Sequence, residues 1–159
     1  MHVLSLDPGF EKVGYAVFDK ESCSVWKYCC SGLIKTAKTL PLEKRLNQIY
    51  TELQKIIAAN SIDMIVIEQL FLFKNQKTFI QVAQAQGVMM LAASEKDIPI
   101  KFFTPLQIKE MITGYGNSDK KGVHKMLKYW LKQDVEVADD DQSDAIAAGL
   151  AFCFLNQNL

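Results

Sequence analysis

The chain has 159 residues, 49% of them apolar, and its 18 basic and 18 acidic side chains cancel to a net charge of zero. That much apolar material suffices for one compact domain over residues 1–159, with an interior large enough to be stable unaided. No uninterrupted apolar stretch approaches the roughly 18 residues of a membrane span, and the N-terminus lacks the basic region and small-residue cleavage site of a signal peptide, so the expectation is a cytoplasmic protein with no membrane partner.

In chain order, residues 2–7 read as a short buried strand, Asp7-Pro8-Gly9 as a turn, and residues 13–19 as a second strand, with a third near 22–33. The connection from Asp19 to Glu21 is too short for a crossover helix, so strands two and three form a hairpin and the first three strands a meander. Over 42–60, Leu46, Ile49, Tyr50, Leu53, Ile56 and Ile57 recur at three-and-four spacing, which predicts an amphipathic helix capped at Asn60. Residues 62–68 follow as an apolar strand closed by Glu68, and a strand reached through a helix pairs in parallel with the first. A helix pattern covers 75–96, where Gly87 is expected to break the middle and permit close helix packing, and Met89 and Met90 read as core filler or part of a dimer face.

Strand 98–103 comes next, then Pro105 in the first turn of a helix ending at Gly114, a loop in which Gly114 and Gly116 bracket Tyr115, and a helix to Leu131 capped by Ser118 or Asp119. The closing helix runs from about Asp141 to Leu155. The four cysteines, with Cys29 and Cys30 adjacent, lack the spacing of a zinc site and read as buried thiols. Three meander strands, then helix, strand, helix, strand and terminal helices, describe an α/β layer sandwich: a central five-stranded mixed sheet flanked by helices, in the RNase H-like order.

Zero net charge at first argues against a nucleic-acid partner, but the distribution argues for one. Residues 101–132 carry seven lysines against Glu110 and Asp119, whereas residues 134–144 carry six acids and no base. Such a division suits a basic surface beside an acidic pocket, where polyanion grips and metal ligands share a site.

Four carboxylates carry the chemistry. Asp7 and Glu68 each end an apolar strand, so both stand at a sheet rim, and neighbouring strands would bring them together. Asp141 and Asp144 are three residues apart on a helix and share a face. Asp140 lies four residues from Asp144, so spacing alone leaves both Asp140 and Asp141 eligible. Clustered acids repel unless cations neutralise them, and hard divalent ions bound through oxygen are the natural occupants. Acids held on rigid strands and one helix face are what two-metal phosphodiester cleavage requires. The competing structural roles are a turn-capping aspartate for Asp7 and a lysine-paired rim acid for Glu68.

The fragments LSLDPGFEKVGYAVFD, IVIEQLFLFKN, AQAQGV, PLQIKEMITGYGNSDKKGV and DQSDAIAAGLAF, in this order and at these intervals, resemble the RuvC family of Holliday junction resolvases over nearly the whole chain. The resemblance implies an RNase H-like fold and a homodimeric, magnesium-dependent endonuclease that nicks two strands of four-way junction DNA symmetrically. It implies Asp7, Glu68, Asp141 and Asp144 as metal-binding and catalytic carboxylates for two Mg2+ ions, with Mn2+ as a substitute, and it favours Asp141 over Asp140. Lys120, with a catalytic role, and Lys109 would stand near the scissile phosphate. Phe71 would act as a wedge in the junction centre, assisted by Phe73, with Lys74 and Lys121 as further DNA contacts. Branch-migration machinery is an expected partner, and the helix of residues 75–96 the expected dimer interface. Two departures from the family pattern bear on DNA contacts: Gln86 where an arginine is usual, and Lys121-Gly122 where a small polar residue and a glutamine are common. The alternatives are another RNase H-like nuclease, resembling the YqgF type that processes RNA, and a non-catalytic junction-binding protein.

Overall fold

The computed structural model describes residues 1–70, 76–132, 137 and 139–155. Its elements are β1 (His2–Asp7), β2 (Lys12–Lys20), β3 (Trp26–Lys35), α1 (Leu42–Asn60), β4 (Met64–Glu68), α2 (Gln76–Ser94), β5 (Ile100–Phe103), α3 (Pro105–Thr113), α4 (Lys120–Leu131) and α5 (Asp140–Phe154). The strands form one five-stranded sheet in the order β3-β2-β1-β4-β5. β1–β2 and β2–β3 are antiparallel and β1–β4 and β4–β5 parallel, the mixed RNase H-like arrangement expected from the element order.

Strand parity decides what faces where. On β1, Leu4 and Leu6 point to a core shared with Ile65 and Ile67 of β4 and covered by α1 and α2. Val3 and Val66 point the other way, into a core filled by α3, α4 and α5. Because successive strand side chains alternate faces, Asp7 and Glu68 fall on the side of Val3 and Val66, beneath α5. Ser5 shares that face; its hydroxyl is buried and donates to the Ala145 carbonyl of α5 at 2.7 Å.

α5 can lie this close because two glycines remove side chains at its contacts. A Cβ on Gly14, the β2 partner of Asp7, would stand 1.9 Å from the Asp141 carbonyl oxygen. A Cβ on Gly149 would stand 2.5 Å from both the Phe18 ring and the Ser5 hydroxyl. At the far end, buried Lys20 donates to the Phe152 and Leu155 carbonyls, satisfying the helix C-terminus. The helix thus runs antiparallel to β1, with its acidic first turn over the Asp7 end.

Several local expectations are corrected. β3 begins at Trp26 because residues 21–25 close a turn in which the Glu21 and Ser22 amides donate to the Val25 carbonyl. α1 ends in a left-handed residue at Ser61, φ 48°, whereas Asn60 remains helical and its side chain donates to the Ile56 carbonyl. Gly87 does not break α2, and among the described residues nothing beyond its own stretch of helix lies within 4 Å of where its Cβ would be, so no packing there requires a glycine. Met89 is core, as read, but Met90 is exposed. Of the cysteines, all free, only Cys153 is buried; Cys29 and Cys30 are exposed on β3, a sheet edge where an apolar reading of cysteine does not hold.

Candidate active site

β1 and β4 run in parallel with Leu6 opposite Ile67, so the next residues, Asp7 and Glu68, leave the sheet side by side at the carboxyl ends of adjacent strands. Three local devices bring the remaining groups to them. Asp139 caps α5, its side chain accepting from the Asp141 amide and pairing with Lys12 at the start of β2. Asp119 caps α4 through the Gly122 amide, which puts Lys120 in the first turn. Thr104 and Gln107 form a reciprocal capping box around Pro105, setting Lys109 one turn further along α3.

A cleft of about 200 Å³ opens between these elements, lined by Glu68, Lys109, Lys120, His124 and Asp144, with Ile108 and Val123 among its apolar walls. Asp7 and Asp141 sit outside the lining but act electrostatically on the same group of acids. Burial pushes the Asp7 carboxyl up from 3.8 to about 8, helped by repulsion from Glu68, Asp144 and Asp141 and opposed by Lys120. Burial likewise raises Glu68 to about 7, with Asp144 adding and Lys109 and Lys120 opposing. Asp144 and Asp141 are raised as well, both chiefly by burial. The four acids predicted from the sequence thus all have raised pKa values, chiefly through burial, and the repulsion they add to one another is only partly offset by the nearby lysines.

Asp140 behaves differently. Its exposed carboxylate accepts from Lys120 at 2.9 Å, and that ion pair holds its pKa below the usual range. Asp141, not Asp140, is the neighbour that acts on Asp7. Lys120 also stands 3.9 Å from Asp144, bridging the outer acid and the inner one. Lys121 is exposed and lies outside the cleft. Phe71, Phe73 and Lys74 lie outside the described residues.

Among the described residues, no three His, Cys, Asp or Glu side chains form a ready-made cage for one ion. The donor set still fits a hard cation: it is all carboxylate oxygen, it is desolvated, and its mutual repulsion is what a divalent charge relieves. His124 was not anticipated from the sequence. It follows Lys120 by four residues on α4, so helical spacing places both on one face, and its proximity lowers the pKa of Asp144 against the dominant effect of burial. The available signal was that spacing, which singles out His124 only once Lys120 is known to face the acids.

The family model for "Crossover junction endodeoxyribonuclease RuvC" matches residues 3–153. The chain belongs to the RuvC family. A crossover junction endodeoxyribonuclease RuvC of Thermosipho melanesiensis is 43% identical over 153 residues, covering 96% of each chain. The RuvC of Fusobacterium nucleatum is 41% identical over 92% of this chain and 77% of its own. Among solved structures, T. thermophilus RuvC in complex with a Holliday junction substrate superposes with a TM-score of 0.90 at 23% identity, covering 97% of this chain and 93% of that one, which establishes the shared RNase H-like fold.

Proposed function

We propose that this RuvC-family chain, working as a single nuclease domain, resolves four-way DNA junctions by paired symmetric nicks. The observation that carries the reading is the placement of Asp7 and Glu68 side by side on the sheet face beneath α5, where burial raises the pKa of both and Asp144 adds its repulsion to each, with Asp141 adding to Asp7. Family membership favours this over the RNA-processing and non-catalytic alternatives.

Asp7, Glu68, Asp141 and Asp144 would hold two Mg2+ ions, with Mn2+ as a substitute, and the bound cations supply activation of water and neutralisation of charge at the phosphate. The water oxygen bonds to phosphorus, the bond from phosphorus to the 3′ oxygen breaks, and that oxygen leaves with a proton as a 3′ hydroxyl. Lys120 donates to the phosphate as charge develops, exchanging its contact with Asp140 for one with the substrate. Lys109, beside Glu68 in the cleft, positions the same phosphate. Lys74 and Lys121 are proposed as sequence-independent backbone contacts, and Phe71, assisted by Phe73, as the wedge at the junction centre.

A junction has two symmetric cut sites, which a twofold dimer matches. α2 supports that proposal: Ile80, Gln84, Gly87 and Leu91 follow three-and-four spacing along one exposed stripe, with Ile80 57% and Leu91 54% exposed. The open side of Gly87 would then let a second copy approach closely. A branch-migration motor would deliver the junction, and such work belongs in the cytoplasm with the chromosome.

End-labelled mobile junctions incubated with the purified protein, with and without magnesium, test the reading. Paired nicks at symmetric positions are expected only with the metal. Asp7→Asn and Asp144→Asn should bind junctions without cutting them, and full cleavage by either variant overturns the assignment.

A further inference from the structure

Arg45, the only arginine of the chain, is 7% exposed in the first turn of α1, and among the described residues it pairs with no carboxylate. Burying a guanidinium against neutral partners is costly. Its partners all belong to one knot. Nε donates to the Thr36 hydroxyl at 2.9 Å, Nη2 donates to the Phe10 carbonyl at 3.3 Å, and the guanidinium lies 3.7 Å over the Phe10 ring. The Thr36 hydroxyl itself donates to the Phe10 carbonyl at 2.8 Å, and the Thr36 amide to the Glu11 carbonyl at 3.0 Å.

Phe10 is three residues beyond Asp7, and little freedom separates them. Pro8 has a fixed φ. Gly9 packs so tightly that a Cβ would stand 1.8 Å from the Lys12 carbonyl oxygen. A clamp on Phe10 is therefore a clamp on the turn that sets how Asp7 leaves β1. Arg45 is not among the charges acting on Asp7, and its contacts run to Phe10 and Thr36, so the route open to it is the backbone of the turn.

We propose that Arg45 is a positioning residue for Asp7, its planar fork and stacked face locking the Asp7-Pro8-Gly9-Phe10 turn in the geometry that cation binding needs. The inference rests on the metal-binding reading of Asp7 given above. A lysine keeps the charge but has neither fork nor stacking plane, so it should not substitute.

The test compares wild type, Arg45→Lys, Arg45→Met and, as a control on the exposed Lys38–Glu11 pair of the same loop, Lys38→Ala. Cation binding is read without DNA as the Mg2+ concentration giving half of the maximal rise in melting temperature, alongside kcat and KM on a four-way junction far below melting. Outer partners of metal ligands typically change metal affinity by about 10–100-fold. Both Arg45 variants should raise the midpoint roughly 10-fold and lower kcat at limiting Mg2+, with KM for junction unchanged and Lys38→Ala like wild type. In an Asp7→Asn background, Arg45→Met should move the midpoint no further. Lower melting temperatures with unchanged midpoint and kcat, or full rescue by Arg45→Lys, overturn the proposal. If Arg45→Met does not fold, Thr36→Val, which cuts the hydroxyl link to Phe10, must raise the midpoint or the proposal falls. A wild type with neither Mg2+-induced stabilisation nor cleavage refutes the nuclease reading itself, whereas a responsive wild type with indifferent variants refutes only the role of Arg45.

Discussion

Asp7→Asn should make the metal-free protein more stable, and the gain should depend on pH. In the folded chain the carboxyl is pushed from 3.8 to about 8 by burial and three neighbouring acids, so the native state holds a proton that the unfolded chain has released. Where the native state binds more protons, stability falls as pH rises. The penalty is absent below about pH 4, grows as pH climbs towards 8, and levels off above it. At about pH 7.5 the gap to 3.8 corresponds to about 5 kcal/mol, at 1.36 kcal/mol for each pH unit. Water entry and local relaxation reduce such penalties, leaving about 2–3 kcal/mol as the expected gain for the neutral amide. For a chain of this length that is about 5–10 °C in melting temperature. The assay is thermal denaturation in chelator from about pH 5 to 8.5, repeated with Mg2+. Wild type should lose stability with rising pH and recover it with the metal; Asp7→Asn should show a flatter profile and a weaker metal response. A variant that melts below wild type in chelator at about pH 7.5, with a parallel pH profile, would refute the claim that ionised Asp7 is held at a cost.

Gly14→Ala should displace the first turn of α5, because its new Cβ meets backbone at 1.9 Å that no side-chain rotation can clear; we expect about 1–3 kcal/mol of destabilisation and, in gel-shift and cleavage assays run in parallel, junction binding without cutting. Lys120→Ala removes a cation that opposes the raised pKa of both Asp7 and Glu68, where for Glu68 Lys109 opposes it too. Its kcat should fall by about 10²–10³, and the salt dependence of junction binding, followed by fluorescence anisotropy, should lose about one charge. Leu91→Glu puts a charge on the exposed stripe of α2, so light scattering should report the monomer mass for the variant and twice that mass for wild type if the proposed α2 dimer holds; a dimeric variant would move the interface elsewhere.

The strands and their ends were legible in the sequence because apolar runs and turn residues act locally. VLSLD before Pro-Gly and MIVIE after an amphipathic helix read as buried strands with an acid at the end of each. The start of α3 at Pro105 was legible for the same reason, whereas its Thr104–Gln107 capping box went unread and the α4 cap stayed open between Ser118 and Asp119 until the structure showed Asp119 accepting from the Gly122 amide. Gly87 misled because a glycine carries no sign of whether its bare side faces a neighbour or solvent, and Cys29 and Cys30 misled because the run gives no notice that β3 is an edge.

What the sequence determined by itself was the inventory: strand-end acids Asp7 and Glu68, a helical acid pair, and lysines nearby. Spacing left Asp140 and Asp141 both eligible and the family resemblance favoured Asp141; the tertiary structure puts the Asp141 charge on Asp7, draws Arg45 onto the turn after Asp7, and adds His124 to the cleft. The spacings i to i+3 and i to i+4 put either aspartate on a helix face, but which one meets Asp7 depends on how closely α5 can approach β2. That approach is set by the missing side chain of Gly14, more than a hundred residues earlier in the chain.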